Sequence, residues 1–282
     1  MEKLYYKITN KNENHYGFQY IDGLNILKDE FNDWSQSCNF KGLYFTDVIN
    51  IFKFLDYGCY VREVKLPIDN PNFKIVKVGS IKWRANMIIL GNRYNLNDHN
   101  TFDMLIKNGA QFINNALEYA SINGYIEIVK LLVKYGAKVN SLVLNFATKN
   151  GNFEVIKFLI QNGAQIDNLT LRYALDFCNL EIIKFLIENG AQIDNNHLMI
   201  ALNKNNLEII KLLIQYGAKI DENYLTLLIT FNNIDHDIIE YIIKNKAIIN
   251  INHSIYIKLK SYILSKYKDK KYNNFRNLHS KL

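Results

Sequence analysis

Cysteine is scarce in this chain of 282 residues: Cys38, Cys59 and Cys178 are odd in number and far apart. No disulfide framework and no zinc-ligand spacing can be built from them, and a reducing intracellular setting fits best. Only two prolines and thirteen glycines leave few forced turns, which leans the chain toward helix. Long apolar runs are missing too. The opening MEKLYYKITNKNENHYG lacks the uninterrupted apolar core of a signal peptide, and no stretch reaches the roughly 18 apolar residues of a membrane span. A soluble intracellular protein without membrane contact is expected. Signatures of catalysis are absent as well: there is no G-x-G-x-x-G, G-x-x-x-x-G-K-[ST], G-x-S-x-G or H-E-x-x-H. The histidines at 15, 99, 197, 236, 253 and 279 form no pair at ligand spacing. Neither an enzyme nor a metal or cofactor site is expected, and His236, flanked by Asp235 and Asp237, is assigned to a solvated loop.

What is present is enough apolar material for a packed interior, 49% hydrophobic with 13% aromatic. The net charge of +7 is localised. Eight basic residues and one acid lie in Lys258–Leu282, whereas the preceding 257 residues hold 26 of each sign. The body is neutral, so a general nucleic-acid surface on it is not indicated.

The dominant feature is a repeated segment. EIVKLLVKYGAKVN (127–140) returns as EVIKFLIQNGAQID (154–167), EIIKFLIENGAQID (181–194) and EIIKLLIQYGAKID (208–221). Gly136, Gly163, Gly190 and Gly217 are spaced by 27 residues, Gly109 extends the register upstream, and YIIKNKAIIN continues it with Lys246 in the glycine position. Fixed self-similarity of this kind signals a solenoid of stacked supersecondary units. Within each unit the second helix, such as Ile126–Tyr135, carries an apolar stripe at Ile126, Val129, Leu132 and Val133. Glu127, Glu154, Glu181 and Glu208 fall in its first turn, and Lys130, Lys157, Lys184 and Lys211 follow three residues later, at pairing distance. The glycine ends the helix, and Asn140, Asp167, Asp194 or Asp221 caps the next. The shorter first helix repeats Leu117, Leu144, Leu171, Leu198 and Leu225, with Ala120, Ala147, Ala174 and Ala201 three positions on.

The pattern E-[IV]-[IV]-K-x-L-[IV] followed by G-A-x-[IV]-[ND] resembles ankyrin repeats over roughly residues 101–250. The usual opening T-P-L-H reads NALE, LVLN, LTLR, NHLM and NYLT here, so only the leucine survives. The ordinary unit is about 33 residues long, so some six residues per unit are missing where the family carries its β-hairpin finger. The resemblance implies an ankyrin-like α-solenoid of five or six helical hairpins with fingers short or absent.

The positions that change between units are candidates for partner contact. In the first helix one such position reads Glu118, Asn145, Arg172, Met199 and Thr226; four residues on, it reads Ile122, Lys149, Asp176, Asn203 and Thr230. A spacing of four places both on one helix face, and the resemblance implies that this strip lies on the concave side, which the family commonly uses for protein partners. Tyr119, Phe146 and Tyr173 beside it are assigned to packing between units, since a base-stacking groove would want basic companions.

Residues 1–100 lack the repeat. Short runs (YGFQYI, GLYF, CYVREVKLP, FKIVKV, WRANMIIL) read as strands and Thr46–Leu55 as a helix, giving a small α+β leader. Arg62–Glu63 and Trp83–Arg84 are its noticeable residues, read equally well as functional or as strand-face charges and an anchoring aromatic. The texture of this leader resembles that of ankyrin proteins encoded by giant viruses of amoebae, and the heavy use of Asn, Ile, Lys and Tyr fits an AT-rich genome. Residues 251–282 are expected to form a C-terminal cap and a basic tail whose Lys266, Lys268, Lys270 and Lys271 could touch nucleic acid or an acidic partner. The overall expectation is a mainly α, monomeric, non-enzymatic protein-interaction module. The resemblance makes it a viral adaptor in the host cytoplasm. The alternatives are a repeat-targeted enzyme with an unrecognised N-terminal catalytic domain, and nucleic-acid binding through the tail.

Overall fold

The computed structural model describes residues 3–32, 41–177 and 179–220, with isolated positions at 237, 238, 241, 242, 257 and 261. The chain forms two compact units, Met1–Ala164 and Gln165–Leu282.

The first unit begins with nine strands: β1 (Tyr5–Thr9), β2 (Asn14–His15), β3 (Phe18–Gln19), β4 (Gly23–Ile26), β5 (Leu43–Asp47), β6 (Tyr60–Lys65), β7 (Ile75–Val78), β8 (Lys82–Ala85) and β9 (Met87–Asn95). Seven of them form an antiparallel sheet in the order β4-β9-β6-β1-β5-β8-β7, and β2 pairs with β3. The run WRANMIIL is two strands, broken at Asn86, whose side chain leaves the ladder to accept from the Lys74 amide at 2.7 Å and donate to Asn72 O at 2.8 Å. Strand β1, inside the opening segment, was not expected.

The helix expected over Thr46–Leu55 is instead a 3-10 helix, Val48–Tyr57, and Thr46 and Asp47 end β5. Asp47 stays extended and accepts from the Asn50 amide at 3.2 Å, which starts the tighter turn, and three β-branched residues follow (Val48, Ile49, Ile51). No α-helix occurs among the described residues before His99. The leader is therefore strand-rich, not an α+β unit built on an α-helix.

Both faces of the sheet are covered. Tyr6 and Ile8 are buried on the side of the 3-10 helix. Alternation turns Tyr5, Lys7 and Thr9 to the opposite side, where Tyr20, Leu43, Phe45, Val64, Trp83 and Ile88 form a core with Tyr5 against it. The 3-10 helix returns to β6 through Gly58. A Cβ there would sit 2.1 Å from the Thr9 carbonyl oxygen, so close approach of the two backbones demands glycine.

The rest of the first unit is helical: α1 (His99–Lys107), α2 (Ile113–Asn123), α3 (Ile126–Lys134), α4 (Ser141–Lys149) and α5 (Phe153–Gln161). The second unit continues with α6 (Asn168–Asp176), α7 (Leu180–Glu188), α8 (Asn195–Asn203) and α9 (Leu207–Gln215). The expected leucines and alanines of the first helices, Leu117, Ala120, Leu144, Ala147, Leu171, Ala174, Leu198 and Ala201, are all buried. In α3 the buried face is Ile128, Val129 and Leu132, and the expected Ile126 and Val133 are only half-buried at its margins.

Each second helix closes in the same way. Gly136 donates to Val133 O at 2.9 Å and Ala137 to Leu132 O at 3.0 Å, with Gly136 at φ 90°. This paired 5→2 and 6→1 closure recurs at Gly109, Gly163, Gly190 and Gly217. Nothing lies within 4 Å of a Cβ built on Gly136. Gly136→Ala is therefore expected to cost about 1–2 kcal/mol through backbone strain alone, read as a lower urea midpoint with an unchanged slope. Asn140, Asp167 and Asp194 cap the following helices, accepting from Val143, Thr170 and His197 at 3.0, 2.9 and 3.1 Å. Asp221 lies outside the described residues. Lys130–Glu127, Lys157–Glu154 and Lys211–Glu208 pair as expected. Lys184 differs: it reaches Glu188 at 3.9 Å, because a second glutamate is available one turn on. Between Gln161 and Asn168, where a finger would stand, there is no strand.

In the first unit, helix α1 is a second helix with no first helix before it in sequence. The 3-10 helix fills that place, packing on α2 as α2 packs on α4. Phe52 stacks on Phe102 with centroids 5.5 Å apart, Phe102 on Tyr119 at 6.4 Å, and Gln111 donates to Ile49 O at 3.1 Å.

Candidate functional site

The first helices of each unit bury leucine and alanine on one side and leave the variable positions on the other. In the first unit, Glu118 is half-buried, and Ile122 and Lys149 are exposed. The Ile122 carbonyl accepts from Asn152 Nδ2 at 2.9 Å, and the same amide reaches Ser121 O at 2.8 Å. This ties one hairpin to the next and leaves the Ile122 side chain outside. Asn145 does not belong to such a surface. It is buried (6% exposed), because α4 is enclosed by its neighbours and buries five of its nine residues.

In the second unit, Arg172 and Asn203 are exposed and Asp176 and Met199 half-buried. Arg172 Nε lies 3.9 Å from Asp176 Oδ2 on the next turn, a solvent-exposed contact of at most about 1 kcal/mol that a partner can compete for. Lys204 donates to the Asp176 carbonyl. Phe177 adds an apolar side chain, 59% exposed, at a place outside the two variable positions chosen on each helix. It was detectable, since Asn123, Asn150 and Lys204 hold the equivalent place in other units. Thr226, Thr230, Lys266, Lys268, Lys270 and Lys271 lie outside the described residues.

Tyr119 is a packing residue, set between Phe102 and Tyr125, 6.1 Å away. Burial, with the charge of neighbouring groups, pushes its phenol well above the usual tyrosine range. Tyr135 donates to Asp103 at 2.6 Å from one second helix to the previous one, and that bond raises its pKa; Asp103 is held low first by its bond from Lys107 and then by the one from Tyr135. These contacts hold the stack together and present no reactive group.

In the leader, Arg62 is 2% exposed and donates to both Glu13 oxygens at 2.9 Å, to Asp22 and to Gly91 O at 2.9 Å. Glu63 accepts from the Tyr94 hydroxyl at 2.6 Å. Trp83 is packed edge-on by Tyr5 at 5.5 Å and stacked by Phe45 at 6.4 Å, and Arg84 donates to Lys41 O at 3.0 Å. All four noticeable leader residues thus have structural partners. Among the described residues no three His, Cys, Asp or Glu side chains gather as metal ligands, and no helix is long and apolar enough to cross a membrane.

Two family models described as ankyrin repeats match this chain, one over residues 140–197 and 171–253 and the other over 117–160. An ankyrin repeat protein of Acanthamoeba polyphaga mimivirus is 52% identical over 132 residues, covering 46% of this chain and 66% of its own. Another protein of that virus is 50% identical over 132 residues, covering 45% of this chain and 95% of its own. A further mimivirus ankyrin repeat protein shares 43% over 129 residues, and there the chain spans only 39% of the relative's length. Among solved structures, the ankyrin repeat domain of human ASB11 aligns with a TM-score of 0.38 and 29% identity over 41% of this chain and 62% of that one. With helical hairpins built on one repeated closure and relatives of this kind, the chain belongs to the ankyrin repeat proteins.

Proposed function

We propose that the chain is a non-enzymatic adaptor of a large DNA virus, acting in the host cytoplasm, that binds a protein partner through the variable faces of its first helices. One observation carries this. The first helices keep leucine and alanine buried at fixed positions, while the solvent-facing positions beside them change chemistry: Glu118 and Ile122, Lys149, Arg172 and Asp176, Met199 and Asn203. A scaffold that holds its interior constant and varies its exposed positions suits recognition, because the variation leaves the packing intact. The viral relatives support the setting, and the scattered titratable groups support a non-catalytic role.

The test is the double replacement Lys149→Glu and Arg172→Glu. Both side chains are exposed, so the unfolding free energy should stay within about 0.5 kcal/mol of the parent. Affinity for a partner captured from amoebal lysate, then purified and titrated directly, should fall at least about tenfold, the equivalent of 1.4 kcal/mol. Equal affinity of the variant and the parent chain would remove the assignment.

A further inference from the structure

The leader holds an open cavity of about 1000 Å³ beside β1 and β5, lined on another side by the segment that carries β2, β3 and β4. On the Lys7 side of the sheet its wall is partly aromatic, with Phe18, Tyr20 and Phe45 among the lining residues. Its charged lining among the described residues is basic, Lys7, Lys28, Lys41 and Lys82 against Asp29, which Lys41 pairs at 3.1 Å.

Lys7 is unlike the others. It is 6% exposed; its ammonium donates to Tyr44 O at 2.9 Å and lies 4.3 Å from the centre of the Tyr20 ring. One of its three N–H donors is left over. Strand register explains why this is unusual. Lys7 stands opposite Arg62 on β6, and Arg62 stands opposite Arg93 on β9. Like charges in one cross-strand row repel. Glu13 and Asp22 neutralise the two arginines, with Glu13 at 2.9 Å from Arg62 and 3.6 Å from Arg93. No carboxylate pairs with Lys7 among the described residues, and burial holds its pKa down at about 7, against an ordinary 10.5. The His15 ring stands edge-on to the Tyr20 ring, 6.1 Å between centroids. His15 also lines the cavity, and its Nε2 accepts from the Asn10 amide at 3.1 Å, which puts the proton of the neutral ring on Nδ1. An uncompensated buried amine is a local rule broken at a cost in stability, which is the mark of a functional position.

We propose that this cavity binds a small molecule that joins one anionic group to a flat apolar body, with the anion seated on Lys7 and the body against the aromatic wall. The anion supplies the missing partner charge. The phenyl and phenol faces supply apolar contact without competing for it. A carboxylate and a phosphate satisfy Lys7 alike, so the anion class is shared between them.

Binding is measured on the full chain by calorimetric titration with benzoate, adenosine 5′-monophosphate, inorganic phosphate and benzyl alcohol. At least one of the two aromatic anions is expected to saturate one site, with an affinity at least tenfold above phosphate and benzyl alcohol. Lys7→Met is expected to weaken that anion at least tenfold, and Lys28→Ala, at an exposed position, less than threefold. In the parent chain the His15 ring proton resonances should shift with the same saturation curve. This check needs no variant to fold. No saturable binding of either aromatic anion up to 10 mM (~), equal affinity in Lys7→Met, or saturation without a His15 shift would each overturn the proposal. Loss of partner binding in the repeat-face variant has no bearing on any of these outcomes.

Discussion

Truncating Phe102 to alanine is expected to lower stability by about 3–5 kcal/mol, the cost of emptying a fully enclosed aromatic site. Phe102 is wholly buried in α1 and stacks on Phe52 of the 3-10 helix and on Tyr119 of α2. It therefore joins the strand-rich leader to the first repeats within one unit. Urea denaturation followed by tryptophan fluorescence and by far-ultraviolet circular dichroism should show both signals moving to lower midpoint together. Phe146, half-buried in α4, makes the contrast, since its truncation removes fewer contacts and should cost about half as much or less. A loss below about 1 kcal/mol for Phe102→Ala would mean that the leader and the repeats do not depend on this stack.

Replacing Lys7 with methionine is expected to work in the opposite direction and raise stability at neutral pH by about 2–4 kcal/mol. The sign follows from where the proton goes. Above pH 10.5 the lysine is neutral in both the folded and the unfolded chain. As the pH falls from there, only the unfolded chain takes up the proton, until the folded Lys7 follows at about 7. The parent chain thus loses stability across that window and has lost it fully below it. The gain from Lys7→Met should be large at pH 6.5 and small at pH 9.5, measured as the difference between the two chains at each pH (~). A pH-independent difference would show that the effect is one of packing alone.

The repeats could be read from the sequence because everything that makes them is local. Each glycine closes the helix just before it, each Asn140 or Asp167 caps the helix just after it, and each glutamate finds its lysine one turn away. Even the exception is local, Lys184 turning to Glu188 because two glutamates flank it. The leader was not legible in the same way. Strand β1 takes its partners from β5 and β6, which begin at Leu43 and Tyr60, and a short run such as YYKIT carries no mark of that distance. The Lys7, Arg62 and Arg93 row exists only once the register is set. In the sequence those three are only part of the balanced charge that precedes Lys258. Asn145 failed for a third reason: variability between units says that a position is free to change, not that it faces water.

The place taken by the 3-10 helix has a consequence for assembly. A stack of identical hairpins has two ends that fit each other, and head-to-tail joining of copies would grow a filament without limit. Here the 3-10 helix packs on α2 and Phe102 on one side and on β1 and β5 on the other, so the upstream end of these hairpins is covered by the leader's sheet. A second molecule arriving end-on is therefore expected to find no matching hairpin face there. Head-to-tail joining at that end is expected to be blocked by shape, without charge repulsion.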